Sequence, residues 1–474
     1  MNFSSQGNKM EKDYKTLQEE LLIKNNHGSL VLDDEEISKA DSYCESYKSF
    51  LSCCKTEREV TEFAVKKAVE NGFTEFDKNK KYLPGDKVFK NNRGKSLILA
   101  VIGKKPLSQG VKIAAAHIDS PRLDLKPNPL YEDSDIALFK THYYGGIKKY
   151  QWTAIPLSLH GVIIKKNGEK LTVVIGENRD EPCFVVTDLL PHLATEQMKR
   201  TLSEGIKGEE LNILVGSRPF KSDEGSELVK LNILRLLNEK YGITEEDFLC
   251  AELEAVPCFE VRDIGYDRSM IGGYGHDDRV CAYPSITAIF DTPAPEYTCL
   301  TVLADKEETG SDGNTGLCSS FMSYFIADLA KTQGCELRDV LSNSMCFSAD
   351  VNAAFDPTFP NVSEKRNASH LNHGVVVTKY TGSRGKGATS DANAEYMAKV
   401  RDILEGEKVL WQPGELGKVD EGGGGTVAKY IANLDVDVVD VGVPVLSMHA
   451  PFEVVSKIDV YMAHRAMKAL FDTK

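Results

Sequence analysis

Six short runs of consecutive apolar residues punctuate the chain: SLILAVI (96–102), VKIAAA (111–116), YTCLTVLA (297–304), SMCFSA (344–349), GVVVTKY (374–380) and VDVVDVGVPVL (436–446). They do not alternate with polar residues, and turn-forming residues bound them. That pattern predicts strands buried on both faces. A helical period appears elsewhere. In KTEREVTEFAVKKAVENGF, Thr56 and Glu59 form a capping box and Val60, Phe63, Ala64 and Ala68 share one face, with Gly72 as the stop. Near the carboxyl end, Ser456 and Asp459 open a second helix whose stripe is Val460, Ala463, Met467 and Leu470. A third helical stretch covers 316–331. Strands alternating with helices predict an α/β fold with a central sheet flanked by helices. A helix near each extremity predicts that both ends pack on one body.

The middle of the chain reads differently. HGVIIKKNGEKLTVVIG shows strand alternation, and a polar helical stretch ends near LNEKYGITEEDF. No cluster of ligand-type residues falls here. We read 125–255 as an inserted, mainly β domain, leaving 1–124 and 256–474 as one discontinuous domain; about 150 residues per domain allows this division. Residues 1–40 are polar and are expected to be frayed or helical. EGGGGT (421–426) lacks a following Gly-Lys-Ser/Thr, so it is a flexible hairpin or a close-approach loop and not a phosphate cradle.

Composition narrows the function classes. The 474 residues are 41% hydrophobic and 27% charged, which suits a globular protein with a large core. A net charge of −14, from 57 basic and 71 acidic residues, argues against nucleic acid as a partner and suits divalent cations. No apolar run reaches about 18 residues, so no membrane span is expected. The start, MNFSSQGNKMEKDYK, has no apolar h-region, and the eleven cysteines include no C-x-x-C pair. Both features point to a cytoplasmic protein with reduced thiols.

The candidate chemistry sits where the apolar runs stop. VKIAAA leads to His117 and Asp119, CLTVLA to Asp305, Glu307 and Glu308, SMCFSA to Asp350, and VGVPVLSM to His449. The glycine-rich turn IGGYGHDDR adds Asp277 and Asp278. Ligands of open α/β sheets bind outside the carboxyl ends of strands. Taken singly, each residue has a plainer use: a structural histidine, a solvated acidic loop, an Asx turn, a helix cap. Their convergence favours metal. His117, Asp277, Glu308, Asp350 and His449 make a nitrogen and oxygen set suited to zinc, cobalt or manganese. Five ligands exceed one tetrahedral ion with an open position but fit two ions roughly 3.5–4 Å apart that share a carboxylate, for which Asp277 is the candidate. Asp119, two residues past His117, can fix that imidazole's tautomer. Of the adjacent glutamates, Glu308 ligates and Glu307 stays free as general base. His192 in PHLATEQMKR reads as a helix-start histidine, and Lys379, Arg384 and Lys386 as a solvated basic loop.

The stretches AAHIDSPRLDLKP, GHDDRVCAYPS, DKEETGS, FSADVNAAFDP and SMHAPFE, in this order, resemble the signature of the M18 aminopeptidases, a family that includes the aspartyl aminopeptidases. KTERE, YYGGIKKYQWTAIPLSLHG and PHLA resemble it too, so the likeness spans nearly the whole chain. The resemblance implies a two-zinc exopeptidase acting on peptides. One zinc would be held by His117, Asp277 and Asp350, the other by Asp277, Glu308 and His449, with Asp119 orienting His117 and Glu307 as base. It implies a zinc-peptidase-like catalytic domain from both chain ends and a dimerisation domain in the middle. It also implies dimers assembling into a hollow tetrahedral dodecamer, with His192 reaching a neighbour's active site. Departures lie at FDPTFPN, GKGATSDAN and APFE, near the substrate end, and bear on the preference for acidic N-terminal residues, for which Lys379 is the candidate counter-charge. The alternatives are another two-metal amidohydrolase, such as a carboxypeptidase or deacylase, and a non-catalytic shell-forming scaffold.

Overall fold

The computed structural model describes residues 13–23 and 26–474. Its centre is a nine-stranded mixed sheet in the order Thr74–Glu75, Lys87–Asn92, Ser96–Val101, Thr298–Ala304, Val111–His117, Met345–Ser348, Asp437–Gly442, Val375–Thr378 and Trp411–Pro413. The four middle strands, from Thr298–Ala304 to Asp437–Gly442, run parallel. Every residue of Ser96–Val101, Val111–His117, Thr298–Ala304 and Met345–Ser348 is buried. Burial on both faces explains why these segments read as unbroken apolar runs. Leu97, Leu99 and Val101 pack into one core with the helices Asp34–Cys53, Glu57–Glu70, His276–Phe290 and Lys457–Phe471. Ile98, Ala100 and Ile102 face the other core, under Phe321–Gln333 and Ala428–Ala432.

The terminal helices form as their periodicity predicts. Thr56 and Glu59 make the capping box of Glu57–Glu70, and Val60, Ala64 and Ala68 are buried beneath it. Val460, Ala463, Met467 and Leu470 are buried along Lys457–Phe471. Two boundaries differ from the sequence reading. The helix expected from 316 begins at Phe321, because 311–319 closes a loop first: Ser311 O accepts the Cys318 N–H at 3.1 Å. Gly316 lies so close to Ser311 that a Cβ there would stand 2.2 Å from its carbonyl oxygen. The run 436–446 is not one strand. Asp437–Gly442 joins the nine-stranded sheet, while Pro444–Leu446 joins a five-stranded sheet with Arg262–Ile264, Met270–Gly273, Glu453–Ser456 and Asn352–Ala353. Gly442 at the break crosses the Asp350 backbone, where any Cβ would meet the Asp350 carbonyl oxygen at 1.7 Å.

A seven-stranded antiparallel sheet draws its strands from 122–257, running from Lys170–Ile175 at one edge to Val185–Val186 at the other. It has its own apolar core, with Phe139, Trp152, Leu253 and Phe248 on one side of which the helix Leu228–Tyr241 packs. EGGGGT forms a close-packed loop: a Cβ on Gly423 would lie 1.9 Å from the Gly382 carbonyl oxygen. Among the described residues, no helix is long and apolar enough to cross a membrane.

Candidate metal centre

The carboxyl edge of the parallel strands gathers the residues that follow the apolar runs. His117 is the last residue of Val111–His117, and Glu307 and Glu308 begin the short turn after Thr298–Ala304. Asp350 follows Met345–Ser348, and His449 follows Pro444–Leu446 in a left-handed conformation (φ 64°). Asp277 and Asp278 lie in the first turn of His276–Phe290 with non-helical dihedrals.

Asp277 stands between the two histidines. Its Oδ1 is 3.1 Å from His117 Nε2, and its Oδ2 is 3.2 Å from His449 Nε2. Glu308 Oε1 lies 3.6 Å from the same His449 nitrogen. Glu307 Oε2 is 3.9 Å from His117 Nε2. Donor atoms of His117, Asp277 and Glu308 all fall within 4.8 Å of one another, as do those of His117, Asp278 and Asp350. The second group brings in Asp278, which the sequence reading placed in the acidic turn but outside the set of five ligands. Its Oδ2 accepts the His117 main-chain N–H at 3.3 Å.

Asp119 ties this centre together more widely than its spacing suggests. The His117 Nδ1–H donates to the Asp119 carbonyl at 3.0 Å, and the Asp119 carboxylate stands 3.3 Å from the same nitrogen. That carboxylate also accepts the main-chain N–H groups of Glu307 at 3.1 Å and Glu308 at 3.2 Å. Glu453, in SMHAPFE, went unnoticed in the sequence. It is buried, and its two oxygens accept the main-chain N–H groups of Asp277 at 3.1 Å and His449 at 2.8 Å. The only signal for it was its place four residues after His449.

The electrostatics fit cations. Burial raises the carboxyls of Glu308 and Asp350 well above their ordinary range, reinforced by neighbouring carboxylates. Burial also pushes Glu307 up to about 7. Burial works against a charged His449, yet Asp277 and Glu308 raise it to about 10. Glu308 Oε1, Asp350 Oδ2 and Asp278 Oδ1 are buried without hydrogen-bond partners. Buried carboxylates left in excess are costly unless positive charge compensates them. The donor set, all nitrogen and oxygen, therefore fits divalent ions, zinc among them.

A cleft of about 450 Å³ is lined by Asp277, Glu307, Glu308, Asp350 and His449 and also by Gly423–Gly425 and Lys429. His192 and Lys379 do not line it. His192 is exposed, and the Lys379 ammonium is paired with Asp391 in the basic loop.

A family model described as aminopeptidase I zinc metalloprotease (M18) matches residues 50–471. A probable M18 family aminopeptidase 1 from Clostridium acetobutylicum is 51% identical over 448 residues, covering 93% of this chain and 96% of the relative. The crystal structure of an M18-family aminopeptidase from Thermotoga maritima is similar at a TM-score of 0.91 and 43% identity, covering 96% of this chain and 100% of that one. The S. cerevisiae mApe1 dodecamer shares the fold at a TM-score of 0.74 and 18% identity, covering 92% of this chain and 97% of that one.

Proposed function

The chain belongs to the M18 family of zinc metallopeptidases and is a metal-dependent aminopeptidase; from that premise we propose that it works with two divalent ions. His117, Asp277 and Asp350 would hold one, and Asp277, Glu308 and His449 the other. Zinc is the leading choice, with cobalt or manganese as substitutes. The observation that carries this reading is the placement of Asp277, whose two oxygens face His117 and His449 separately. Bound ions would polarise the scissile carbonyl and acidify the attacking water.

The rest falls to the chain's own groups. Glu307 opens onto the cleft and burial raises its carboxyl to about 7, which suits a group that takes a proton from water and returns it to the leaving amine. Asp119 keeps Glu307 and Glu308 in place through their N–H groups and holds His117 by its ring. The same reading includes a preference for acidic N-terminal residues. Lys429 supports it better than Lys379: it lines the cleft, whereas the Lys379 ammonium is paired with Asp391.

Assembly into dimers through 125–255, and of dimers into a tetrahedral dodecamer, belongs to this proposal. The mApe1 dodecamer supports it, as do Leu189, Leu190, Leu193, Met198 and Leu202, all more than half exposed in one stretch. The exposed His192 lies in that stretch and is free to serve a neighbouring cleft. Cytoplasmic residence rests on the cysteine pattern of the sequence.

Aminoacyl and N-acetyl-aminoacyl nitroanilides separate the readings. A free amine requirement is expected; release of acetate from the acetylated series, with no nitroaniline released from the free-amine series, would make the enzyme a deacylase. Replacing Lys429→Ala should reduce cleavage of a glutamyl substrate about tenfold relative to a leucyl one, as loss of a charged contact worth roughly 1.5 kcal/mol. An unchanged ratio removes Lys429 from substrate recognition.

A further inference from the structure

We propose that the tripeptide Tyr144-Gly145-Gly146, which ends the strand Ile136–Tyr144 of the seven-stranded sheet, is a positioning clamp for the metal centre. The inference rests on the two-ion reading above. Each of the three residues meets a different part of the site.

Tyr144 Oη donates to Asp119 Oδ2 at 2.8 Å. That carboxylate is the one that faces His117 and receives the Glu307 and Glu308 N–H groups, so the phenol fixes the group on which a ligand and the base both depend. The ring cannot swing aside. The Arg122 guanidinium covers it at 3.9 Å and is itself held by Asp124 at 2.8 Å and Glu254 at 3.3 Å.

Gly145 is in the left-handed region at φ 75°, and a Cβ there would stand 2.9 Å from Glu308 Oε2 and 3.3 Å from Glu308 Cβ. Its bare backbone is the surface on which the Glu308 side chain rests. Gly146 offers its carbonyl to His449 Nδ1–H at 2.7 Å. That bond fixes a proton on Nδ1, so Nε2, 3.2 Å from Asp277, is the nitrogen that would face an ion.

One short segment thus sets the orienting group of His117, the side chain of Glu308 and the tautomer of His449. The seven-stranded sheet is therefore part of the catalytic apparatus and not only a surface for assembly.

Tyr144→Phe keeps the ring and its stacking under Arg122 but removes the bond to Asp119. Competition with a chromophoric zinc chelator, run on wild type and variant, reads the effect without reference to activity. The variant should keep its assembly size yet bind one of its two zinc ions roughly 10- to 100-fold more weakly. Its kcat should fall while KM stays near wild type. Wild-type affinity for both ions together with wild-type kcat overturns the clamp. A wild-type chain that takes up no zinc overturns the two-ion reading itself, and the inference with it. If Tyr144→Phe does not fold, Gly145→Ala presses on Glu308 independently: weaker zinc binding supports the clamp, and unchanged binding overturns it.

Discussion

Glu307 and Glu308 are adjacent in sequence yet lead different lives in the fold. Glu308 is turned into the centre toward His449 and shielded by Gly145, while the Glu307 side chain stays 18% exposed on the cleft. Glu307→Gln keeps the shape and removes the proton acceptor. We expect it to retain bound metal by elemental analysis while steady-state turnover falls about 10²- to 10⁴-fold, the usual contribution of a general base. Near-wild-type turnover with metal still bound would refute the assignment. His117, Asp277, Glu307, Glu308, Asp350 and His449 were legible as one group because each lies just past an apolar run or in a glycine-rich turn, whereas His192 and Lys379 have no such signal and stand off the cleft. Glu453 and Tyr144 were not legible. Glu453 works on Asp277 across 176 residues of chain, and no local pattern announces a main-chain hydrogen bond of that span. Lys429 was hidden for a related reason: only the folded glycine loop brings it over the cleft.

Among the elements, strands buried on both faces were the most legible, since continuous apolar runs have few other uses. The five-stranded sheet was not legible, because its strands are two to four residues long and carry no period. Its pairing is set by chain crossings such as Gly442 over Asp350. The helix Glu57–Glu70 is joined to the seven-stranded sheet by ionic contacts. His160, on Leu157–Ile164, sits between Glu59 Oε1 at 2.7 Å and Glu177 Oε1 at 3.0 Å, and Lys55 Nζ reaches Glu177 at 2.7 Å. Burial opposes the imidazolium, but the two carboxylates outweigh it and raise His160 above 6.5. Its contribution to stability is therefore full below pH 6.5 and is lost as pH rises through the raised folded value. Glu177 runs the other way. Burial is outweighed by His160 and Lys55, which hold it at about 2, so its contribution is present above 4.5 and lost as pH falls through about 2. Urea unfolding midpoints should show His160→Gln less stable than wild type by roughly 1–3 kcal/mol at pH 6, with the gap narrowing as the pH is raised. A gap that does not change with pH would remove the ionic account of this junction.

For the whole molecule, the fold places the acidic edge of one sheet against the end of a strand from another. Light scattering tests the assembly: the dodecamer reading expects twelve times 52.4 kDa, and a stable dimer would contradict it. In the two-ion proposal, groups from five separated segments hold two divalent ions with Asp277 between them. Crystals of zinc-loaded protein, measured at the zinc absorption edge, test it most directly. Two anomalous peaks per chain should flank the Asp277 carboxylate, one about 2 Å from His117 Nε2 and the other about 2 Å from His449 Nε2. A single peak, or peaks remote from Asp277, would contradict it.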